Sequence, residues 1–225
     1  MKKLLLCLLL SSCSKPNIIQ NMVDSVVVVN GSSGIVLCSE EGMTLVLTAH
    51  HVISNSLEGG LPIIVEYSSV GISAATYAYV NEHTDLAIIR IEAYNLPCSD
   101  VAIKNPTLGD DIWIAANPNN NTKSLKKGIV SSTNRHERFV DGWELSGGII
   151  FGSSGGGAFN INGELFGIAR AVDSYDTRFC VGAPANCLRV ALPDIGIFVP
   201  PEDIRAFLLG SPFNSSFNYL KEGAE

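Results

Sequence analysis

From Asp24 to Pro200 the chain is written as short apolar runs separated by turn residues, and this spacing narrows the choice of fold more than any other feature. The runs in "DSVVVVNGSSGIVLCSE" flank Asn30-Gly31, a dipeptide suited to the positive φ angles of a tight hairpin turn. "MTLVLTAHHV", "PIIVEYS", "ISAATYAYV" and "DLAIIRI" follow at short intervals, rich in β-branched and aromatic residues. After "NLPCSD" and "KNPTLGD" the pattern resumes with "DIWIAA", "KKGIVSST", "GWELSG", "GGAFNI", "ELFGIARAV" and "RVALPDIGIFVP". Asn162-Gly163 marks a second hairpin turn. Strands with turns about every 8–12 residues belong to β-barrels or β-sandwiches. Each half of the chain contributes about six strands, with the proline-bearing stretch Tyr94–Pro106 as the junction.

The sequence predicts one helix. Pro200-Pro201 precedes "EDIRAFLL", which puts proline at the start, acids in the first turn and apolar residues at Ile204, Phe207 and Leu208. The final fifteen or so residues read as polar and loose. The 225 residues are 46% hydrophobic and 16% charged, which is ample for a core and unlike a disordered chain. The net charge of −7 and the lack of a basic run after Lys127 argue against a nucleic-acid partner.

The N-terminus predicts export. "MKKLLLCLLLSSC" places two lysines before the apolar run Leu4–Leu10, too short to span a bilayer but suited to a signal peptide. "LSSC", ending at Cys13, resembles the lipobox of bacterial lipoproteins, in which the cysteine is lipidated and becomes the new N-terminus. The alternative is an ordinary secretory signal cleaved elsewhere, and no A-x-A site follows. Both readings send the chain out of the cytoplasm; the lipobox reading makes residues 1–13 the signal peptide and lipobox, and the protein a periplasmic or cell-surface lipoprotein. Ser14 behind Cys13, rather than aspartate, resembles the outer-membrane sorting pattern of Gram-negative lipoproteins. Of six cysteines, Cys7 would leave with the signal and Cys13 would carry lipid, which leaves Cys38, Cys98, Cys180 and Cys187 as candidates for disulfides in an oxidising compartment. Cys180 and Cys187 flank the turn-like "VGAPAN" and could close a short loop; Cys38 with Cys98 is the remaining pairing. Metal binding is the rival reading, but there is no close Cys-x-x-Cys and no histidine beside these cysteines. No cofactor or metal site is expected, and nothing in the sequence indicates an oligomeric state.

One segment carries chemistry. "GSSGGGAFN" puts Ser154 between glycines at the mouth of a strand. A nucleophilic serine needs a tight turn whose backbone N–H groups face the reacting carbonyl oxygen, and glycines allow the positive φ angles and close approach of such a turn. It also needs a base, normally histidine, and a carboxylate to orient that base. His51 ends "LTAHH" and Asp85 opens "TDLAIIR".

At these residues the chain resembles a known family. "LTAHHV", "TDLAII" and "GSSGGGAFNINGELFGIA" look like the three signature segments of trypsin-like serine peptidases, most nearly the bacterial HtrA/Deg branch, in that family's order. The resemblance covers roughly residues 20–210 and implies an all-β, chymotrypsin-like fold of two six-stranded antiparallel barrels with a short C-terminal helix. Residues 17–100 would form the first barrel, 101–200 the second, and 201–225 the helix and tail. By motif position Ser154 would be the nucleophile, His51 the general base and Asp85 its orienter. His51 rather than His50 holds the family's histidine position. The N–H groups of Gly152 and Ser154 would form the oxyanion hole. The activity implied is endopeptidase cleavage of polypeptides through an acyl-enzyme.

The chain departs from the family in four places. Ser153 stands where the digestive branch has aspartate, so activation by a new N-terminus is closed to this chain. Gly157 stands where the family usually has proline. No second domain fits after residue 210, so a PDZ module is expected to be absent. Gly148, six residues before the serine, brings no carboxylate to the floor of the primary pocket; that argues against Arg/Lys preference and for a small or medium apolar residue. The facing wall would come from Ala169, Arg170 and Ala171, with Arg170 either binding an acidic side chain or lying exposed at a strand edge. The alternative to an enzyme is a non-catalytic protease-like fold that binds partner proteins and retains the triad by descent.

Overall fold

The structure, a computed structural model, describes residues 17–38, 44–68, 71–118, 122–133, 142–180 and 187–221, with side chains described for all of these except 172–180 and 187–194. Strands β1 (Val26–Val29), β2 (Ser32–Leu37), β3 (Thr44–Ala49), β4 (Ile64–Glu66), β5 (Ile72–Asn81) and β6 (Leu86–Ile91) close an antiparallel barrel in the order β1-β2-β3-β6-β5-β4. Strands β7 (Asp111–Ala116), β8 (Ser124–Ser132), β9 (Trp143–Ser146), β10 (Gly157–Phe159), β11 (Leu165–Cys180) and β12 (Cys187–Val199) close another in the order β10-β11-β12-β9-β8-β7. This is the all-β, two-barrel architecture the sequence implied. The Asn30-Gly31 turn joins β1 to β2 with φ 47° and 80° and Val29 paired to Ser32, the two positive angles a type I′ turn needs.

Successive residues of a strand face opposite ways, and here both faces are covered. Val27 and Val29, Val36, Val46, Ala87 and Ile89 fill the interior of the first barrel. Their neighbours Val26, Ile35, Leu37, Leu45, Leu47, Leu86 and Ile88 point the other way, into a separate core shared with Phe159, Leu165, Ile168 and Val199 of the second barrel. Ile112, Ile114, Val130, Trp143, Leu145 and Phe198 fill the second barrel itself. Burial on both faces explains why these strands read as continuous apolar runs rather than as an alternation.

Three helices accompany the barrels among the described residues: α1 (Ile18–Asp24), α2 (His50–Gly59) and α3 (Pro201–Gly210). Only α3 was expected. In α2 the N-cap residue is Ala49, which offers no side-chain acceptor, so the usual start signal is missing. The acceptor comes from a distant strand instead, as described below. Its other end is conventional, with Gly60 in the left-handed region at φ 62°. Helix α1 has a conventional Asn17 cap but buries only Met22, so its apolar pattern is faint.

The expected loose tail is also corrected. A 3₁₀ segment, Asn214–Lys221, follows α3, and Phe213, Phe217 and Leu220 are buried in the core between the barrels. Asn214, Ser215 and Asn218 face out and account for the polar composition. Tyr79 of β5 stacks on Phe207 at 5.3 Å, and Tyr77 meets Phe213 edge-on at 5.6 Å, so the C-terminal elements pack back against the first barrel.

Cys38 and Cys98 form a disulfide with Cα atoms 4.9 Å apart, tying the end of β2 to the junction. Cys180 and Cys187 stand opposite each other in the β11–β12 ladder, and their side chains lie outside the described residues. So do Cys13 and the whole leader.

Candidate active site

The histidine–carboxylate pair is built where β3 turns into α2. Asp85 precedes β6, whose Leu86 pairs with Ala49 at the end of β3, so the two strand ends lie side by side. Asp85 adopts φ 56°, a left-handed angle that aspartate tolerates better than most residues. Its backbone carbonyl accepts from the His50 N–H at 3.0 Å, and its Oδ1 accepts from the His51 N–H at 2.9 Å. These are the orphan donors of the first turn of α2, so Asp85 caps the helix that carries His51. The other carboxylate oxygen, Oδ2, lies 2.8 Å from His51 Nδ1. Of the two adjacent histidines, His51 is the one whose ring meets Asp85. Its side chain is 46% exposed, while that of Asp85 is 11% exposed.

Ser154 lies across the seam, on the second barrel. The Ser153 N–H donates to Ile150 O at 2.9 Å, closing a four-residue turn with Gly152 third at φ 86°. A positive angle at that position marks a type II turn and sets which way the Phe151–Gly152 peptide faces. Ser153, which stands where the digestive branch has aspartate, serves the turn directly. It is buried, and its Oγ accepts from the Ile150 N–H at 3.2 Å, a second link across the same turn. The Gly155 N–H reaches Ala169 O and the Gly156 N–H reaches Ser153 O, each at 2.8 Å. Among the described residues the N–H groups of Gly152 and Ser154 have no such partner. Among the described residues the Ser154 hydroxyl makes no hydrogen bond to His51.

The turn is docked onto the first barrel through Ser32 and Ser33 of β2. Ser33 Oγ donates to Gly152 O at 2.7 Å and accepts from the Asn117 N–H at 2.9 Å. The Ser33 N–H donates to Ser154 O at 2.9 Å, and the Ser32 hydroxyl lies 3.0 Å from the same oxygen. Thr48, three residues before His51, donates from its hydroxyl to Ser33 O at 2.7 Å. Gly155, at φ 81°, has to be glycine because a Cβ there would run into Ser33 O and Thr48 Oγ1. Gly157 opens β10, paired to Ile168 and Ala115, and is buried.

The residues expected to line a pocket are placed unequally. Gly148 is buried at φ 70°, and its carbonyl accepts from Lys126 Nζ at 3.1 Å. Ala169 is fully buried within the second barrel, so its side chain forms no wall. Arg170 lies at a β-bulge, where the β11–β12 register slips between Ala169 and Ala171; bulges re-aim side chains. Its Nε sits 3.5 Å from Asp85 Oδ2, and its side chain is 19% exposed, so it is not an open strand-edge arginine. Sequence reasoning missed Lys126, the Arg170–Asp85 approach and the Ser32–Ser33 pair. The last had a signal: two serines inside an apolar strand, with Ser33 fully buried.

Residues 32–168 match the trypsin-like peptidase domain family. The chain is 30% identical over 155 residues to the serine endoprotease DegS of Haemophilus influenzae, covering 65% of this chain and 43% of that protein. It is 30% identical over 148 residues to the mitochondrial serine protease HTRA2 of Drosophila willistoni, covering 62% and 32%. The match therefore spans less than half the length of these relatives. In structure it is similar to the serine endoprotease of Yersinia pestis, with 28% identity, a TM-score of 0.62, and coverage of 84% of this chain and 63% of that one. With the domain match covering more than half of the chain and including His51, Asp85 and Ser154, the chain belongs to the trypsin-like peptidase domain family.

Proposed function

We propose that the protein is a serine endopeptidase in which Ser154 attacks the substrate carbonyl, His51 moves the proton and Asp85 orients His51. The observation that carries this reading is the contact of His51 Nδ1 with Asp85 Oδ2 at 2.8 Å, just past the end of a strand whose Thr48 is linked through Ser33 to the glycine-rich turn of Ser154. Asp85 accepts the Nδ1–H, which leaves Nε2 free to take the Ser154 proton. The N–H groups of Gly152 and Ser154 receive the negative charge that develops on the carbonyl oxygen. Collapse of the tetrahedral intermediate passes the proton from His51 to the leaving amine and leaves an ester on Ser154. Water, activated by the same histidine, then hydrolyses that ester.

Polypeptides are the substrate class that the family match supports. At the pocket floor, Gly148 supplies no carboxylate and Lys126 brings an ammonium to its carbonyl, so a basic residue on the acyl side of the cut bond is disfavoured. Phe151, 85% exposed beside Gly152, offers apolar surface to the substrate. A small or medium apolar residue is the preferred fit. The leader supports export and attachment to a membrane through lipid on Cys13, and a Cys180–Cys187 bridge is part of the same proposal. The mature protein should partition into detergent with Cys13 intact and into the aqueous phase as Cys13→Ser; an aqueous partition of the intact protein would overturn the anchor.

Steady-state cleavage of unfolded casein tests the triad. Ser154→Ala and His51→Ala should each abolish nearly all turnover, and the double variant should lose little more, because the two act as a unit. Additive losses, or undiminished cleavage by Ser154→Ala, would overturn the assignment. Peptides with alanine or valine before the cut should be turned over faster than those with arginine or lysine.

A further inference from the structure

We infer that Ser32 and Ser33 are positioning residues for the oxyanion site, supplied by the first barrel to a turn of the second; this rests on the serine-peptidase reading above. The argument comes from the fate of each peptide group around the turn. In the Gly152–Ser153 peptide, the N–H is held by Ile150 O at 2.9 Å and the carbonyl by Ser33 Oγ at 2.7 Å. In the Ser154–Gly155 peptide, the N–H is held by Ala169 O at 2.8 Å and the carbonyl by the Ser33 N–H at 2.9 Å, with the Ser32 hydroxyl at 3.0 Å. The peptide between them is held through Ser153 O, which accepts from Gly156 N–H at 2.8 Å.

A peptide plane held at both ends cannot rotate, and these two planes flank the free Ser154 N–H. The same Ser33 contact fixes ψ of Gly152, the residue that bears the other free N–H. Glycine has little rotational preference of its own, so without an external partner the "GSSGGG" run would let both donors wander. Ser33 is fully buried, and its hydroxyl is used in both directions, donating to Gly152 O and accepting from Asn117 N–H. Through Ser33 O it is also bonded to Thr48, on the strand that leads into His51. One serine thus gauges the distance between the turn of the nucleophile and the helix of the base, which lie on different barrels.

The test compares wild type, Ser33→Ala, Ser32→Ala and Ser25→Ala for the rate of labelling by a small fluorophosphonate and for kcat and KM on a peptide ester. Ser25 donates to Met22 O and accepts from Ser99, and is fully buried but outside the site, so it controls for loss of a buried hydroxyl. Losing one oxyanion donor outright costs about 100-fold or more, so Ser33→Ala, which only loosens both donors, should label and turn over about tenfold or more slowly, with KM within about twofold. Ser32→Ala should show a smaller slowing in the same direction, and Ser25→Ala none. Labelling of Ser33→Ala at the wild-type rate, or an equal slowing in Ser25→Ala, would overturn the inference. If Ser33→Ala does not fold, Ser32→Ala decides, and wild-type rates in that variant overturn it. Wild-type protein that is not labelled on Ser154 would instead overturn the serine-peptidase reading itself.

Discussion

Asp85 holds a left-handed backbone angle of 56° and uses that pose to offer three acceptors in one direction, its carbonyl to His50, Oδ1 to the His51 N–H and Oδ2 to the His51 ring. The cap and the contact with the His51 ring can be separated by substitution. Asp85→Asn keeps a side-chain oxygen for the helix cap, but an amide facing the ring favours the wrong tautomer of His51. Turnover should fall by about 10⁴-fold, as when a triad aspartate is replaced elsewhere, while stability changes by less than about 1 kcal/mol. Asp85→Ala should lose similar turnover and in addition about 0.5–2 kcal/mol of stability, the usual cost of a lost cap. Kinetics and denaturant melts on the two variants check both halves. The identity of Asp85 was legible from its motif; its service as a cap was not, because the helix it caps starts 34 residues earlier, at His51's own turn. Arg170 shows the same limit, since a bulge one residue long decides that its side chain turns toward Asp85, and sequence spacing does not reveal bulges.

At the level of elements, strands were easier to read than helices because their signal is local. Asn30-Gly31 and the β-branched runs declare β1 and β2 by themselves, whereas α2 begins without a cap of its own and the Asn214–Lys221 segment hides Phe213, Phe217 and Leu220 among polar residues. The disulfide joins two elements that local pattern could not pair. It closes a loop with a sequence separation of 60 residues, for which chain entropy gives about 4 kcal/mol. Replacing Cys38 and Cys98 together by serine should lower the unfolding free energy by about 2–4 kcal/mol in urea melts, with an intact Ser154 site below the transition. Gly155→Ala should damage both properties at once. The new Cβ meets the docking contacts of the turn, so labelling and stability should both fall.

On the scale of the whole molecule, the two barrels are joined by a core of their own, and the C-terminal segment completes it. Phe217 is fully buried there with Phe207, Leu37 and Phe159. Phe217→Ala should therefore cost about 3–5 kcal/mol, as for other fully buried phenylalanines. A variant that melts like wild type would mean the tail does not pack in solution. The strand count was legible because two similar sets of strands flank one proline-bearing junction, and their closure into two barrels was implied by the family resemblance. The seam was not, because the residues that cross it, Ser33 to Gly152 and Arg170 to Asp85, are more than 80 positions apart. Catalysis at that seam is the central claim, and the most direct measurement is mass-spectrometric mapping of the folded protein after reaction with a fluorophosphonate. The account predicts a single adduct on Ser154 that is lost in His51→Ala; a folded protein with no adduct, or with one on another serine, would contradict it.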